Sequence, residues 1–504
     1  MLSLVQSDRF PPAPDRFNLA AYVLAHADRL GDKTALRIIG AQGSDSFDYR
    51  FLKRAVLGTA TGLRALVQPG QKVILQLGNT PEFPIAFLGA IAAGIVPVSL
   101  SSALSEHEYS DVVKTIRPAL EIRAAGAPQT PRSALPFAAL RGFWTLPQAG
   151  FAFGDPNRPA YIIYTSGTSG RPTPVVHAHR AIWARRMMWD GWYGLREDDR
   201  MLHAGAFNWT YTLGTGLLDP WSVGATALIP EGGVTPDQLP MLMKRYDATL
   251  FAAAPGIYRR LLRADIPPLP ELRHGLSAGE KLSARDRADW QDKTGTRIHE
   301  AFGMSECSTF ISSAPDRPAP AGAAGFVQPG RTVALLGAEG PVAQGMVGTI
   351  AIHKDDPGLM LGYLDRPEET AARYQGDWFV TGDLATMDES GAITYAGRAD
   401  DMMNAGGHRV SPIEVEDALT AHPLVAEAAA CAVQVRTGVH VIAGFYVATD
   451  VIEEDELRDF AAARLATYKL PRLLIARDRL PRGANNKLLR KALRDEWETT
   501  HGQT

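Results

Sequence analysis

Thiols are scarce in this chain. Its 504 residues include two cysteines, Cys307 and Cys431, which lie far apart in sequence. That excludes a disulfide framework and a zinc site built mostly of thiolates, and it fits a reducing cytoplasm. A surplus of charge is missing too. Lys and Arg number 52 against 55 Asp and Glu, a formal balance of −3, which gives no electrostatic footprint for nucleic acid or an anionic membrane. No apolar run is long enough to cross a bilayer: the most apolar stretch, IAFLGAIAAGIVPVSL (85–100), is short and broken by Pro97. The N-terminus lacks a basic segment followed by an apolar core, so no secretory signal is expected. No fixed-period repeat is visible.

What is present suits a globular protein, with 45% apolar and 21% charged residues. The length exceeds one ordinary core, so two or more domains are expected. Short apolar runs, KVILQL (72–77), YIIYT (161–165) and ATALIP (225–230), alternate with helix-like segments, TPEFPIAFLGAIAAG (80–94) and PDQLPMLMKRY (236–246). The alternation predicts layered α/β subdomains. Within 85–100 a helix should end near Ala93, stop at Gly94 and give way to a strand. The Pro/Gly/Ala-rich stretch 315–330 reads as a loop into a β-rich subdomain carrying TVALLG, GTIAIH and ITYAG. After about residue 400 the pattern becomes that of a small α+β domain, opened by a helix at Ser411 with Glu414 completing a capping box. A boundary near GRADD (397–401) divides the chain into 1–398 and 399–504.

Residues 165–174, TSGTSGRPTP, are rich in glycine and hydroxyls and contain no lysine. They follow a strand-like YIIY and precede VVHAHRAIWARRMMW, which reads as helical, so strand, loop, helix is the expected order. Glycines let backbone N–H groups turn toward a phosphate, and Ser and Thr add rotatable donors. The lysine-bearing P-loop pattern is absent, and taken alone the run also reads as a plain glycine turn.

Three further segments change that balance: HEAFGMSE (299–306), FVTGDLATMDESGAITYAGRADDMMNAGGHR (379–409) and PRGANNKLLRKAL (481–493). In this order and spacing, over nearly the whole chain, the motifs resemble those of the adenylate-forming superfamily: acyl-CoA and aryl-CoA synthetases, peptide-synthetase adenylation domains and luciferases. The resemblance implies a large N-terminal AMP-binding domain and a small mobile C-terminal one. It also implies ATP, Mg²⁺ and coenzyme A as cofactors. It makes Thr165, Ser166, Gly167, Thr168, Ser169 and Gly170 the loop around the β- and γ-phosphates. Glu306 becomes the magnesium carboxylate, and Asp383 with Arg398 the ribose contacts. Gly279 and Glu280 lie at the adenine edge, with Phe302 stacked on the ring beside Gly303 and Ser305. Lys487 is placed between the acyl carboxylate and the α-phosphate, and Asp400 at the hinge. Gly407 lines a thiol tunnel, and Arg409 meets a phosphate. In this sequence Thr173 stands where the family's loop has its usual lysine, and Asn486 where a glycine usually precedes the terminal lysine. Arg171 is the nearby cation available to the loop.

The same resemblance places the acyl pocket around Phe207, Trp209, Tyr211, Ala278, Ala301 and Met304, in segments most like those of benzoate and related aryl-CoA ligases. Gly303 stands where acetyl-specific relatives carry tryptophan, which implies room for a larger acid. The expected activity is ATP-dependent ligation of an aromatic or short- to medium-chain monocarboxylic acid to CoA through acyl-AMP, in the cytoplasm, with a homodimer compatible. The alternatives are an adenylation enzyme that loads a separate carrier protein, a luciferase-like oxygenase, and a non-catalytic nucleotide-binding homologue.

Overall fold

The computed structural model describes all residues except 9, 125–126, 128–134, 136, 166–172, 406–407, 437–438, 484–487 and 502–504, and omits the side chains of 404, 405, 408, 409 and 439. Three sheets build the part before residue 400. A six-stranded sheet runs in the order Gly362–Tyr363, Thr173–Ala178, Pro159–Thr165, Val96–Ser99, Lys72–Gln76, Leu120–Arg123, and its last four strands are parallel. A nine-stranded sheet has a parallel centre that includes Thr226–Pro230, Arg200–His203, Leu250–Ala253, His274–Ala278 and Ile298–Met304. The third sheet is antiparallel and contains Val333–Leu336, Gly348–His353, Trp378–Met387 and Ile393–Arg398. This is the layered α/β body with a β-rich part that the alternating runs predict.

The helix Glu82–Ala93 explains the most apolar stretch. Every one of its residues is buried, because it lies between the two mixed sheets, in one core with Leu75, Ile163, Ala227 and Ile229. A helix apolar on all sides belongs in such a place. Gly94 ends it in the left-handed region at φ 80°, and the strand Val96–Ser99 follows, as expected. Among the described residues no helix is long and apolar enough to cross a membrane.

After residue 400 come the hairpin Met403–Ala405/His408–Val410 and a sheet of Val425–Arg436, Val439–Ala448 and Leu473–Ala476. The helices Pro412–Thr420, Glu454–Ala462 and Arg490–His501 accompany them.

Two local expectations are corrected. The glycine-rich run does not lead from strand into helix. Thr173–Ala178 is a strand, antiparallel to Pro159–Thr165 with Thr165 opposite Thr173, and the next helix starts only at Ala181. Val175 and Val176 decide this: β-branched and buried, they suit a pleated interior strand. Ser411 does cap its helix, accepting from the Ile413 N–H at 3.2 Å. Glu414 is drawn away to Lys469 at 3.0 Å instead of closing a capping box.

Candidate active site

Strand ends from all three sheets and segments after residue 400 surround one cleft of about 1570 Å³. Glu306 sits in the turn between the antiparallel strands Ile298–Met304 and Ser308–Ser312. It is buried, and the Tyr363 hydroxyl donates to its Oε1 at 2.8 Å. Its neighbour Ser305 is held through its carbonyl, which accepts from His177 Nε2 at 2.8 Å. Burial pushes His177 down to about 4, so the ring stays neutral with its proton on the nitrogen facing that carbonyl.

Asp383 and Arg398 face each other across neighbouring antiparallel strands. Asp383 Oδ1 accepts from the Tyr395 hydroxyl at 2.8 Å, and its other oxygen lies 3.5 Å from the Arg398 guanidinium. Arg398 Nε also donates to Asp400 at 2.9 Å. Phe302 both lines the cleft and packs, its ring centroid 5.5 Å from those of Phe310 and Tyr395.

Gly279 adopts φ 101°, and a Cβ there would lie 3.0 Å from the Trp209 indole. Glycine is therefore what the turn and the close approach require. Trp209 and Tyr211 meet edge to face at 5.2 Å, and both line the cleft with Ala278, Ala301, Gly303, Met304, Ser305 and Glu306. Phe207 does not: it is buried in the core, stacked on Phe83 at 5.1 Å. Gly303 needs a correction as well. A Cβ on it would lie 2.3 Å from the Ser308 carbonyl oxygen and 2.5 Å from Thr309 Cα. The missing side chain makes room for the adjacent strand, at a register shift between Phe302 and Gly303, and not for a larger acid.

The far rim comes from the end of the chain. The Leu488 N–H donates to Glu280 Oε1 at 2.9 Å, and Arg482 bridges Glu280 at 3.7 Å and Glu427 at 2.7 Å. Lys281 pairs with Asp417 at 2.7 Å. Thr165 ends its strand at the cleft. Ser166, Gly167, Thr168, Ser169, Gly170, Arg171, Gly407 and Lys487 lie outside the described residues, as does the Arg409 side chain. At the lysine-less position, Arg366 Nη1 donates to Thr173 Oγ1 at 3.3 Å.

Sequence reasoning missed Tyr363, Tyr395, His177 and Arg366. No spacing marks them. Tyr363 reaches Glu306 because its short strand pairs with Thr173–Ala178, which lies nearly two hundred residues earlier in the chain.

The same architecture occurs in a benzoate CoA ligase from Burkholderia xenovorans LB400, with TM-score 0.85 and 28% identity over 95% of this chain and 100% of that one. It also occurs in an anthranilate CoA ligase in complex with anthranoyl-AMP, with TM-score 0.87 and 26% identity over 96% and 98%. In sequence the chain is 29% identical to the benzoate–CoA ligase of Thauera aromatica over 98% of this chain and 99% of that protein. The class is that of acid–thiol ligases that work through an adenylate. Residues 23–364 match the AMP-binding enzyme family and 414–487 its C-terminal domain, and the chain belongs to that family.

Proposed function

We propose that this enzyme activates an aromatic monocarboxylate with ATP and passes the acyl group to CoA. The observation that carries the reading is that Glu306, the Asp383–Arg398 pair and the residue following Lys487 all border one cleft.

In the first step a carboxylate oxygen of the acid attacks the α-phosphorus. The bond to the bridging β-oxygen breaks, and pyrophosphate leaves. Two anions must approach, so alignment and neutralisation supply most of the catalysis. Asp383 accepts from the ribose hydroxyls with Arg398 beside it, Phe302 offers its face to adenine, and Gly279 with Glu280 borders the ring. Thr165 opens the loop that receives the β- and γ-phosphates. Lys487 sets a compact cation between the acid and the α-phosphate.

Among the described residues no cluster of three or more His, Cys, Asp or Glu side chains forms a metal cage. The single buried carboxylate of Glu306 fits Mg²⁺ nonetheless, because that ion takes one or two carboxylates plus phosphate oxygens and water. When bound there, Mg²⁺ neutralises phosphate charge.

In the second step the CoA thiol, as thiolate, attacks the acyl carbon and AMP leaves. Rotation about Asp400 exchanges Lys487 for the 405–409 segment, where Gly407 leaves a path for the pantetheine arm and Arg409 meets a phosphate. The acceptor is CoA in preference to a carrier protein, a reading supported by the likeness to CoA ligases along nearly the whole chain.

The test is incubation with ATP, Mg²⁺ and pooled carboxylic acids, with and without CoA, read by mass spectrometry. Acyl-CoA and AMP are expected. Adenylate or AMP without thioester would transfer the reading to a carrier protein, and no acid-dependent AMP would overturn it.

A further inference from the structure

Behind the acyl end of the cleft lies a buried ion pair that no motif announced. Arg185 and Asp219 are almost fully buried, joined by Nε to Oδ1 at 2.8 Å and Nη2 to Oδ2 at 2.5 Å. The Tyr193 hydroxyl donates to Asp219 Oδ2 at 2.8 Å. With that proton committed, Thr215 must be the donor in its 2.9 Å contact with Tyr193. On the other side Arg185 Nη1 donates to Ser308 Oγ.

The donor count at Ser308 is informative. Its oxygen accepts from a guanidinium, so its own proton is free to donate, and it goes to the weak thioether sulfur of Met188 at 3.8 Å, which Thr309 Oγ1 approaches more closely at 2.7 Å. Ser308 and Thr215 line the cleft with Tyr211, Gly303 and Met304. Ser308 also holds φ 66°, a left-handed conformation unusual for a residue other than glycine. Such conformations persist where their surroundings over-determine them, and they gather at ligand sites. The Arg185 charge is matched by Asp219, so this floor offers a hydrogen-bond donor without the net positive charge that a second carboxylate would need.

We propose that Ser308, fixed as a donor by the Arg185–Asp219 pair, reads a neutral hydrogen-bond acceptor on the acyl group. The substrate class is then an aryl monocarboxylate with a neutral oxygen substituent on the ring, a phenolic hydroxyl or an ether. This rests on the acid–CoA ligase reading and on the Tyr211–Met304 end as the acyl site. A plain ring would leave the serine proton with only the distant, weakly accepting Met188 sulfur, and the gain from a better acceptor is what discriminates.

The experiment compares hydroxybenzoates with methylbenzoates at each of the three ring positions, since the two substituents match in size and differ in hydrogen bonding. The readout is the ratio of kcat/KM in the presence of ATP, Mg²⁺ and CoA. At one position the hydroxy acid is expected to win by about tenfold or more. Ser308→Gly removes the hydroxyl and suits the φ of the site, and it should bring that ratio close to one. Ser308→Asn, which tolerates a left-handed φ and keeps a hydrogen-bond donor, should retain a preference for the hydroxy acid. A wild-type ratio near one at all three positions, or a ratio that Ser308→Gly leaves in place, overturns the inference while the ligase reading stands. Absence of AMP formation from every aryl acid overturns both.

Discussion

The backbone N–H of Leu488 donates to the Glu280 carboxylate at 2.9 Å, so the residue after Lys487 is pinned to the rim of the cleft. Arg482 reinforces the same carboxylate and ties it to Glu427. A contact of this kind, a charged acceptor on a backbone donor, is worth about 1.5–3 kcal/mol. If it positions Lys487 for adenylation, Glu280→Ala should slow acyl-adenylate formation by about ten- to a hundredfold. Transfer from supplied acyl-adenylate should be little changed. Glu280→Gln, which keeps a carbonyl acceptor, should recover much of the rate. Lys487→Ala should abolish adenylation and spare transfer. Pyrophosphate exchange and thioester formation separate the two steps, and equal loss of both would count against a rotating C-terminal domain.

Thr173 is buried where the family has its loop lysine, and the cation beside it comes from Arg366, just after the short strand Gly362–Tyr363 that pairs with Thr173–Ala178, with Glu369 as a second partner at 3.1 Å. A shared guanidinium supplies less charge to a phosphate than a dedicated ammonium. Thr173→Lys should therefore lower the KM for ATP, by about tenfold at the low end of a charge-assisted contact. An unchanged KM would show that the substitution does not weaken ATP binding.

Much of this was legible in the sequence, for identifiable reasons. The buried helix Glu82–Ala93 announced itself by being apolar on every face, and Gly94 by its place at the helix end. Asp383 and Arg398 were legible through the motifs that carry the family resemblance, and the structure brings them opposite each other on neighbouring antiparallel strands. The hairpin of Pro159–Thr165 and Thr173–Ala178 was not legible, because VVHAHRAIWARR mixes a two-residue and a helical period and only the pairing of the two strands decides between them. Gly303 misled because sequence shows that a side chain is missing but not which way it would point. Phe207 misled for a related reason: its alternation with Trp209 and Tyr211 is real, yet only the latter two reach the cleft. The tyrosines on Glu306 and Asp383 arrive through sheet topology, which no local spacing encodes.

Buried neutral histidines set a pH limit on stability. Burial lowers His177 and His274 to about 4 and His179, His203 and His299 to about 3. His179 Nδ1 accepts from the Leu19 N–H at 3.0 Å, so protonation there breaks a bond. In the unfolded chain each ring titrates near ~6.5. Folded values lie below unfolded ones, so the unfolded state gains protons first as pH falls. Stability should be level above neutrality and drop from about pH 6.5 toward about pH 4, by up to ~1.4 kcal/mol per unit for each ring. Urea midpoints at about pH 7.5 and about pH 5 test this. Equal midpoints would mean that the rings are accessible to protons in the folded state.

Tyr363 is the support for Glu306. Its hydroxyl donates to one carboxylate oxygen at 2.8 Å, and the Met360 N–H fixes the Glu306 carbonyl at 2.7 Å, so backbone and side chain are both held. Tyr363→Phe keeps the ring, which packs with Val175 and Phe310, and deletes only the polar contact. An unsupported carboxylate samples more rotamers and meets a hard cation less often in the required orientation. The Mg²⁺ concentration for half-maximal adenylation should rise by about tenfold or more. The thermal midpoint should move little, since the phenyl ring still fills its place. A lowered midpoint with unaltered Mg²⁺ dependence would instead make Tyr363 a packing residue, and the metal role of Glu306 would then rest on Glu306→Gln, which should lose Mg²⁺-dependent adenylation outright.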